Sequence, residues 1–334
     1  MKVLDLYCGM GGFSLGFALA LEGAEIHGVD IDRYAVETYN LNLGGFGCGA
    51  ERADLLVWMP SGKSFDIVVG GPPCQPFSSL NRATSGERHP LFPTFRRYFE
   101  LVREIRPRAF VFENVPGLLN SGFRELLEAQ LLSLGREYRL SRGLLNAAHY
   151  GVPQTRARVI VVGIRRDGGK TFSFPRPTHS ETGTPRMWLG AREALSGLAD
   201  GFSVMVAGTT RRSSPNLVRS ADSPSFTVAA RFTGYAVIYL TWPESGHVRA
   251  MTLRESLRVQ TFPDWWRFPE DASEQRRRRL VGEAVPPILA YRLAIAVGKA
   301  LGLRTREPPK EGEWDLPYFR RAFADYFEKV DGDG

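Results

Sequence analysis

Short, mostly apolar runs alternate with amphipathic stretches along roughly the first half of the chain. The apolar runs predict buried strands, at residues 2–7, 24–29, 66–69, 109–112 and 158–164. The stretches between them have helical spacing, at residues 14–21, 34–43, 95–105 and 123–134. Strands that alternate with helices predict an α/β fold with a doubly wound, mostly parallel sheet.

The alternation ends near residue 165, and the next segment has a different composition. Residues 172–250 are rich in Pro, Gly, Ser, Thr and Arg, and helical patterns return at residues 253–259 and 288–301 and in the aromatic stretch 318–330. We therefore predict a second, smaller, loop-rich domain that contains β-strands. The predicted boundaries are a first domain at 1–171 and 280–302, a second domain with its hinge at 172–279, and a C-terminal extension at 303–334.

Composition narrows the possible classes of protein only slightly. The net charge is +7, and arginine outnumbers lysine. This favours bidentate contacts to phosphates or base edges, although a GC-rich genome produces the same bias. The three cysteines are too scattered for a disulfide framework or a metal site. We see no signal peptide and no apolar run close to the roughly 18 residues of a membrane span, so we expect a soluble, cytoplasmic protein.

A single cysteine lies in a stiff loop directly after a predicted strand. Residues 70–78 read Gly-Gly-Pro-Pro-Cys-Gln-Pro-Phe-Ser, and proline fixes φ and removes a backbone donor. An open α/β fold places a nucleophile in such a loop, at the C-terminal end of a strand. The alternative is a small buried cysteine in a proline-rich turn, and we favour Cys74 as a nucleophile.

Charged residues end or begin two other predicted strands. Glu113 follows the apolar run at 109–112, which places its carboxylate in the same layer of loops as Cys74; otherwise it is a surface loop acid. Arg156 and Arg158 point to one face of an extended segment. Two guanidinium groups suit a phosphate or a pyrimidine carbonyl, and a solvated strand start explains them equally well.

The first predicted strand leads into a glycine turn, Cys-Gly-Met-Gly-Gly-Phe at residues 8–13. Such a turn places the amides of a helix N-terminus beside a nucleotide-like ligand. Asp30 ends the next strand and could bind ribose hydroxyls, or it could cap a helix. Asp54 could accept from an adenine amino group. These features alone fit a dehydrogenase and a methyltransferase equally well.

Taken in order, these segments resemble the DNA (cytosine-5)-methyltransferases. The resemblance covers about residues 1–165 and 222–300, and the segment between corresponds to the variable recognition region of that family. It rests on seven motifs, at residues 5–13, 30–32, 72–78, 113–115, 154–158, 253–264 and 282–287.

The resemblance implies a Rossmann-like methyltransferase fold and methyl transfer from S-adenosylmethionine, without a metal, to carbon 5 of cytosine in a specific DNA sequence. Cys74 would attack ring carbon 6, while Glu113 binds ring nitrogen 3 and the exocyclic amine. Arg158 would hold the carbonyl oxygen of the base, and Arg156 would support the Cys74 loop or a phosphate. The base must be flipped out of the duplex, and residues 79–90 look like the mobile loop that covers it.

The same resemblance assigns the cofactor contacts. Most lie in the glycine turn and at neighbouring strand ends: Tyr7, Cys8, Gly9, Met10, Gly11, Gly12, Phe13, Asp30, Ile31, Asp54, Leu55, Pro72, Leu91, Glu283 and Ala284. Glu283 departs from the family, which usually has asparagine there. A carboxylate accepts hydrogen bonds but cannot donate them. We expect the site to tolerate this change.

We expect double-stranded DNA as the partner of a monomeric protein, with a cognate restriction endonuclease possible and no membrane association. Residues 209–219 and 231–235 are candidates for reading base edges. Two alternatives stay open at this stage. One is an RNA cytosine-5 methyltransferase of similar fold, and the other is a DNA-binding homologue whose catalysis is impaired through Glu283.

Overall fold

A computed structural model of the chain describes residues 1–60, 62, 64–77, 86–208, 218–230, 237–307 and 309–327. The chain divides into two compact units. Unit 1 comprises Met1–Leu145, Ala157–Pro175 and Tyr291–Arg306, and unit 2 comprises Asn146–Arg156, Arg176–Ala290 and Glu307–Gly334. The candidate base-reading residues 209–217 and 231–235, and residues 79–85 of the expected mobile loop, lie outside the described residues.

The large sheet of unit 1 confirms the predicted fold class. Its seven strands are β1 Lys2–Leu6, β2 Glu25–Asp30, β3 Cys48–Arg52, β4 Ile67–Gly70, β5 Ala109–Asn114, β6 Tyr138–Asn146 and β7 Ala157–Arg165, in the order β3-β2-β1-β4-β5-β7-β6. Strands β1 to β5 pair in parallel, and β7 runs antiparallel to β5. The strand order reverses between β1 and β4, which is where open α/β sheets bind ligands at their C-terminal ends.

The helices follow the predicted pattern in the first half of the chain. In chain order, the described helices are α1 Gly12–Ala20, α2 Arg33–Leu43, α3 Phe92–Ile105, α4 Phe123–Leu134, α5 Ala191–Ala194, α6 Leu253–Val259, α7 Glu274–Glu283, α8 Pro287–Leu301, α9 Glu311–Trp314, α10 Phe319–Ala322 and α11 Ala324–Phe327. Helix α2 begins where the Asp32 side chain accepts from the backbone N–H of Tyr34 at 2.9 Å.

An aromatic core fixes the strands of unit 1 that carry the site. Phe95, Tyr98 and Phe99 lie on the apolar face of α3 and are fully buried. The ring of Phe112 on β5 packs 5.0 Å from Phe99 and 5.2 Å from Tyr98, centroid to centroid. The Tyr98 hydroxyl also donates to the carbonyl of Val111 at 2.8 Å. This packing holds the end of β5 rigidly beside β4.

Unit 2 contains the smaller β-structure that the sequence predicts. Four antiparallel strands form its sheet in the order β11-β10-β8-β9, with β8 Val204–Ala207, β9 Val218–Ser220, β10 Ile238–Trp242 and β11 His247–Ala250. Helix α6 follows, and it begins with a reciprocal capping box between Thr252 and Glu255.

The C-terminal extension is part of the core of unit 2. Trp314 is fully buried, and its indole N–H donates to the carbonyl of Thr261 at 3.0 Å. The Tyr318 hydroxyl donates to the carbonyl of Arg258. A Cβ atom at Gly151 would overlap the backbone of Ala322. The extension therefore stabilises the segment around α6, although it lies outside the motifs that carry the resemblance.

One helical run, Glu274–Leu301, is long and apolar enough to cross a membrane by length and composition, contrary to the expectation that no such run exists. Of the most apolar 18-residue stretch within this run, 89% is buried inside the protein. Burial of this extent is what a core helix has.

Candidate active site

The register of the sheet brings the Cys74 loop and Glu113 to one edge of unit 1. Gly70, the last residue of β4, pairs with Phe112, the residue before Glu113 on β5. Because parallel neighbours end at the same edge, the loop after β4 emerges beside the end of β5. The two segments that the sequence singles out separately are thus adjacent.

Asn114 ties the Cys74 loop to β5. Its side chain is 1% exposed, and its Nδ2 atom donates to the carbonyl of Pro72 at 3.1 Å. Its Oδ1 atom accepts from the backbone N–H of Val115 at 2.9 Å. Both ends of the amide are therefore satisfied in a buried position, and the loop cannot shift relative to Glu113 without breaking a buried hydrogen bond.

Two glycines allow the close approach of these segments. A Cβ atom at Gly71 would lie 2.8 Å from Oε2 of Glu113, so a side chain there would displace the carboxylate from its present position. A Cβ atom at Gly117 would overlap the carbonyl oxygen of Phe77. The Phe77 N–H donates to the carbonyl of Cys74 at 3.0 Å, and its ring is buried against other phenylalanines. The Cys74 loop is therefore held on two sides.

Glu113 forms an ion pair with Arg158. On the antiparallel strands β5 and β7, Glu113 lies opposite Ile160, and Arg158 lies two residues earlier on the same face. The distance from Nε of Arg158 to Oε1 of Glu113 is 2.8 Å, and the side chains are 12% and 11% exposed. An acceptor and a fork of donors therefore stand side by side, which suits one edge of a heterocycle.

Of the three cysteines, Cys74 alone is not buried. Burial raises the pKa of Cys8 well above its ordinary value and raises the pKa of Cys48 to about 12. A thiolate is the reactive form of cysteine. Burial therefore keeps Cys8 and Cys48 in the unreactive thiol form, and Cys74 is the most exposed of the three.

The glycine turn after β1 has strained backbone and open space. Tyr7, Gly9 and Gly11 have φ values of 58°, 54° and 95°. A Cβ atom at Gly9 would have no neighbour within 4 Å, whereas one at Gly11 would overlap Leu43 of α2. Gly9 therefore leaves room for a ligand, and Gly11 allows α1 to pack against α2.

Asp30 anchors this turn. Its Oδ2 atom accepts from the N–H of Gly9 and its Oδ1 atom from the N–H of Asp32, both at 2.9 Å. Burial raises the pKa of Asp30, and these backbone bonds partly offset the effect. Beside it, Ile31 is 60% exposed, a large apolar surface at the tip of β2.

The remaining predicted cofactor residues of unit 1 differ in what they can offer a ligand. Leu91 is 36% exposed at the start of α3. Leu55 is buried, and the Asp54 side chain accepts from the N–H of Leu56 at 3.0 Å. Other members of the predicted set are buried in the core, and Gly12 has no side chain, so only their backbone could contact a ligand: Cys8, Met10, Gly12 and Phe13.

The structure adds a buried polar chain below the turn that the sequence motifs did not indicate. The Ser14 hydroxyl donates to Oδ2 of Asp5 at 2.7 Å, and the Tyr39 hydroxyl donates to Ser14 at 2.8 Å. Burial raises the pKa of Asp5 to about 7. Among the described residues, no group of three or more His, Cys, Asp or Glu side chains could hold a metal ion.

In unit 2, Arg156 is 2% exposed and precedes β7. Its guanidinium donates to the carbonyls of Val228, Gly282 and Ala284, each at 3.0 Å. Their spacing predicted that Arg156 and Arg158 point to one face of an extended segment. Arg156 instead binds backbone carbonyls, whereas Arg158 pairs with Glu113. Glu283 accepts from Nε of Arg279 at 2.9 Å, one helical turn earlier on α7.

The fold is thus an open α/β sheet whose C-terminal edge carries the Cys74 loop and the ion-paired Glu113. The family model for C-5 cytosine-specific DNA methylase matches residues 1–200 and 201–299. The chain therefore belongs to the C-5 cytosine-specific DNA methylases, and the enzyme is a DNA C-5 cytosine methyltransferase.

Two relatives are similar over most of their length. The chain is 32% identical to the Type II methyltransferase M.NgoFVII of Neisseria gonorrhoeae, over 99% of this chain and 89% of that one. It is 31% identical to the Type II methyltransferase M1.HphI of Haemophilus parahaemolyticus, over 90% of this chain and 87% of that one.

Two solved structures share the fold. A mutant of Spodoptera frugiperda DNMT2 aligns with a TM-score of 0.65 at 19% identity, over 89% of this chain and 99% of that chain. The S. pombe Dnmt2 methyltransferase aligns with a TM-score of 0.63 at 20% identity, over 89% and 98%.

Proposed function

We propose that the enzyme transfers the methyl group of S-adenosylmethionine to carbon 5 of a cytosine in a specific sequence of double-stranded DNA. The target base would be flipped out of the duplex and bound covalently by Cys74. One observation carries this proposal. The loop that presents Cys74 is fixed by Asn114 to the strand of Glu113, whose carboxylate pairs with Arg158 at 2.8 Å.

Cys74 begins the chemistry as a thiolate. Its sulfur forms a bond to ring carbon 6, and the electron pair of the 5,6 double bond moves into the ring. Glu113, hydrogen-bonded at ring nitrogen 3, stabilises the charge that develops there, and carbon 5 becomes nucleophilic. Arg158 has five donors, so it can keep its contact with Glu113 while it donates to the carbonyl oxygen of the base.

Carbon 5 then gains the methyl group and later loses its proton to solvent. The electrons of that C–H bond re-form the 5,6 double bond, and the sulfur of Cys74 leaves carbon 6. The products are a free thiolate, 5-methylcytosine and S-adenosylhomocysteine, which keeps the electron pair of the broken S–CH3 bond. Since the ring atoms are inaccessible inside a stacked duplex, flipping must come first, at a cost of a few kcal/mol.

S-adenosylmethionine supplies an electrophilic methyl group when it is bound, so the transfer needs no metal. The glycine turn fits such a ligand because a Cβ atom at Gly9 would stand in open space. Asp30 would accept from ribose hydroxyls. The exposed side chain of Ile31 would cover the adenine, with Asp54 and Leu55 at its polar edge and Leu91 lining the same pocket.

The relatives named Type II methyltransferases support a place in a restriction-modification system. We propose that the enzyme acts in the cytoplasm as a monomer and protects DNA from a cognate endonuclease.

Bisulfite sequencing of a duplex DNA library tests the proposal. The purified enzyme with S-adenosylmethionine should leave 5-methylcytosine at one recognition sequence, and Cys74→Ala should leave none. Modified RNA with unmodified DNA would favour the RNA alternative. Unmodified DNA and RNA together with retained DNA binding would favour the catalytically impaired homologue.

A further inference from the structure

We propose that Arg156 is a positioning residue for the cofactor-binding segment around Glu283. This inference rests on the proposed function and on the cofactor contacts of Glu283 and Ala284 that the family resemblance implies. One nitrogen of Arg156, Nη2, donates to the carbonyls of Gly282 and Ala284, each at 3.0 Å. These two carbonyls flank Glu283 on either side, so the guanidinium fixes the backbone from which the Glu283 side chain departs.

The carbonyls that Arg156 binds explain why a positively charged side chain stands at this position. Helix α7 ends at Glu283, and the last carbonyls of a helix lack partners within the helix. They also carry the negative end of the helix dipole. The other nitrogen of the fork, Nη1, donates to the carbonyl of Val228 at 3.0 Å. One planar group thus joins the end of α7 to the neighbouring segment.

Two glutamines reinforce the same segment. Nε2 of Gln260 donates to the carbonyl of Val281 at 2.5 Å and to that of Ala284 at 3.2 Å. Gln260 accepts in turn from Nε2 of Gln154 at 2.6 Å. Gln154 and Gln260 are both fully buried. The amide pair and Arg156 therefore hold one short stretch of backbone from the interior of unit 2.

A close backbone contact completes this arrangement. A Cβ atom at Gly282 would overlap the backbone of Ala229 and Ala230, so the end of α7 lies directly on that segment. The Glu283 side chain remains partly exposed at 35%, and its charge is offset by the guanidinium of Arg279. Buried groups thus fix the backbone of this segment, while its acidic side chain stays accessible.

The test separates cofactor affinity from DNA affinity. Arg156→Lys keeps the charge, but a single ammonium cannot reproduce the fork that reaches three carbonyls. We expect the dissociation constant for S-adenosylmethionine, measured by calorimetry without DNA, to rise about tenfold or more, or about 1.4 kcal/mol. Hydrogen exchange of the amides at 282–285 should become faster, while DNA affinity changes less than about twofold.

Arg192→Lys is the control variant. Arg192 also binds a backbone carbonyl within unit 2, that of Phe202 at 2.8 Å, and its recorded partners lie outside the 281–284 segment. This variant should leave the affinity for S-adenosylmethionine and the hydrogen exchange of the amides at 282–285 unchanged. If Arg156→Lys does not fold, Gln260→Met removes the other donors to the same carbonyls, and it should weaken cofactor binding in the same direction.

The outcomes separate this inference from the proposed function. Unchanged cofactor affinity in Arg156→Lys and Gln260→Met would overturn the positioning role if Glu283→Ala weakens binding. If Arg156→Lys loses DNA affinity while its cofactor affinity is unchanged, the positioning role is also overturned. The guanidinium would then be a contact to a phosphate or a base. If Glu283→Ala leaves cofactor affinity unchanged, the assigned cofactor contact fails, and a positioning role toward the cofactor fails with it.

Discussion

The carboxylate of Glu113 and the guanidinium of Arg158 meet at 2.8 Å across the antiparallel strands β5 and β7. Both side chains are nearly nine-tenths buried, at 11% and 12% exposure, so water screens the pair little. Removal of one partner would leave the other charge buried without its counter-ion. In the proposed mechanism, the stability of the site and its chemistry therefore depend on the same two groups.

A double-mutant cycle tests this coupling. We expect Glu113→Gln and Arg158→Met to destabilise the protein separately, and the double variant to be less destabilised than their sum by about 1–3 kcal/mol. Urea denaturation of the four proteins measures the unfolding free energies. Strictly additive effects would show that the pair is not coupled. Both single variants should also lose methylation by about 100-fold or more, since each group contacts the proposed base.

Asn114 should affect the rate of the chemical step rather than binding. Asn114→Asp replaces the donor to the carbonyl of Pro72 with an acceptor, so the Cys74 loop loses its tie to β5. We expect the single-turnover methylation rate to fall about tenfold or more, with less than about a twofold change in affinity for DNA. Asn120→Asp, at an exposed position in the following turn, serves as the control. An unchanged rate in Asn114→Asp contradicts the positioning role.

Gly117 should tolerate no side chain. In Gly117→Ala the new methyl group would overlap the carbonyl of Phe77, and backbone must move to make room. We expect a loss of about 2 kcal/mol or more in unfolding free energy. Gly49→Ala is the matched control, because a Cβ atom there has nothing within 4 Å. Its effect should stay within about 0.5 kcal/mol, and equal losses in the two variants would refute the argument.

Asp5 should make stability depend on pH. Burial raises its pKa from 3.8 to about 7 in the folded protein, so folding favours the protonated carboxyl. That contribution is complete below the unfolded pKa of 3.8 and is lost as the pH rises to about 7. Asp5→Asn keeps an acceptor for Ser14 and cannot ionise. The unfolding free energy of Asp5→Asn should exceed that of the native protein by almost nothing at about pH 4 and by about 4 kcal/mol at about pH 8.

Chemical denaturation across this pH range measures the difference in unfolding free energy between the two proteins directly. A constant difference at all pH values would mean that the Asp5 carboxyl does not titrate as its burial implies.

The features that local pattern determines could be read from the sequence. Buried apolar runs end at Gly70 and Phe112 because a strand in a parallel sheet is covered on both faces, and the residues after them reach the functional edge. The placement of the Cys74 loop and Glu113 at one edge of the sheet was therefore predictable. The sequence also indicated a strand at 158–164, but its antiparallel pairing depends on the partner strand rather than on its own residues.

Long-range contacts were not predictable. The carbonyls that Arg156 binds belong to residues 228, 282 and 284, and nothing near Arg156 in the chain specifies them. Gly9 and Gly11 are identical in type, yet one faces open space and the other packs on Leu43. Asn114 follows Glu113 directly, but its tie to Pro72 requires the fold of two separate loops. Sequence patterns locate strand ends, whereas tertiary packing decides which atoms meet there.

Covalent trapping on DNA that contains 5-fluorocytosine tests the central claim most directly. Fluorine at carbon 5 cannot leave as the proton does, so the bond between Cys74 and carbon 6 should persist after methyl transfer. With saturating S-adenosylmethionine and a duplex containing the recognised sequence, we predict a denaturant-stable protein–DNA complex whose cross-linked peptide contains Cys74. Cys48→Ala should form it and Cys74→Ala should not. A complex that survives Cys74→Ala, or none with the native protein, would contradict the account.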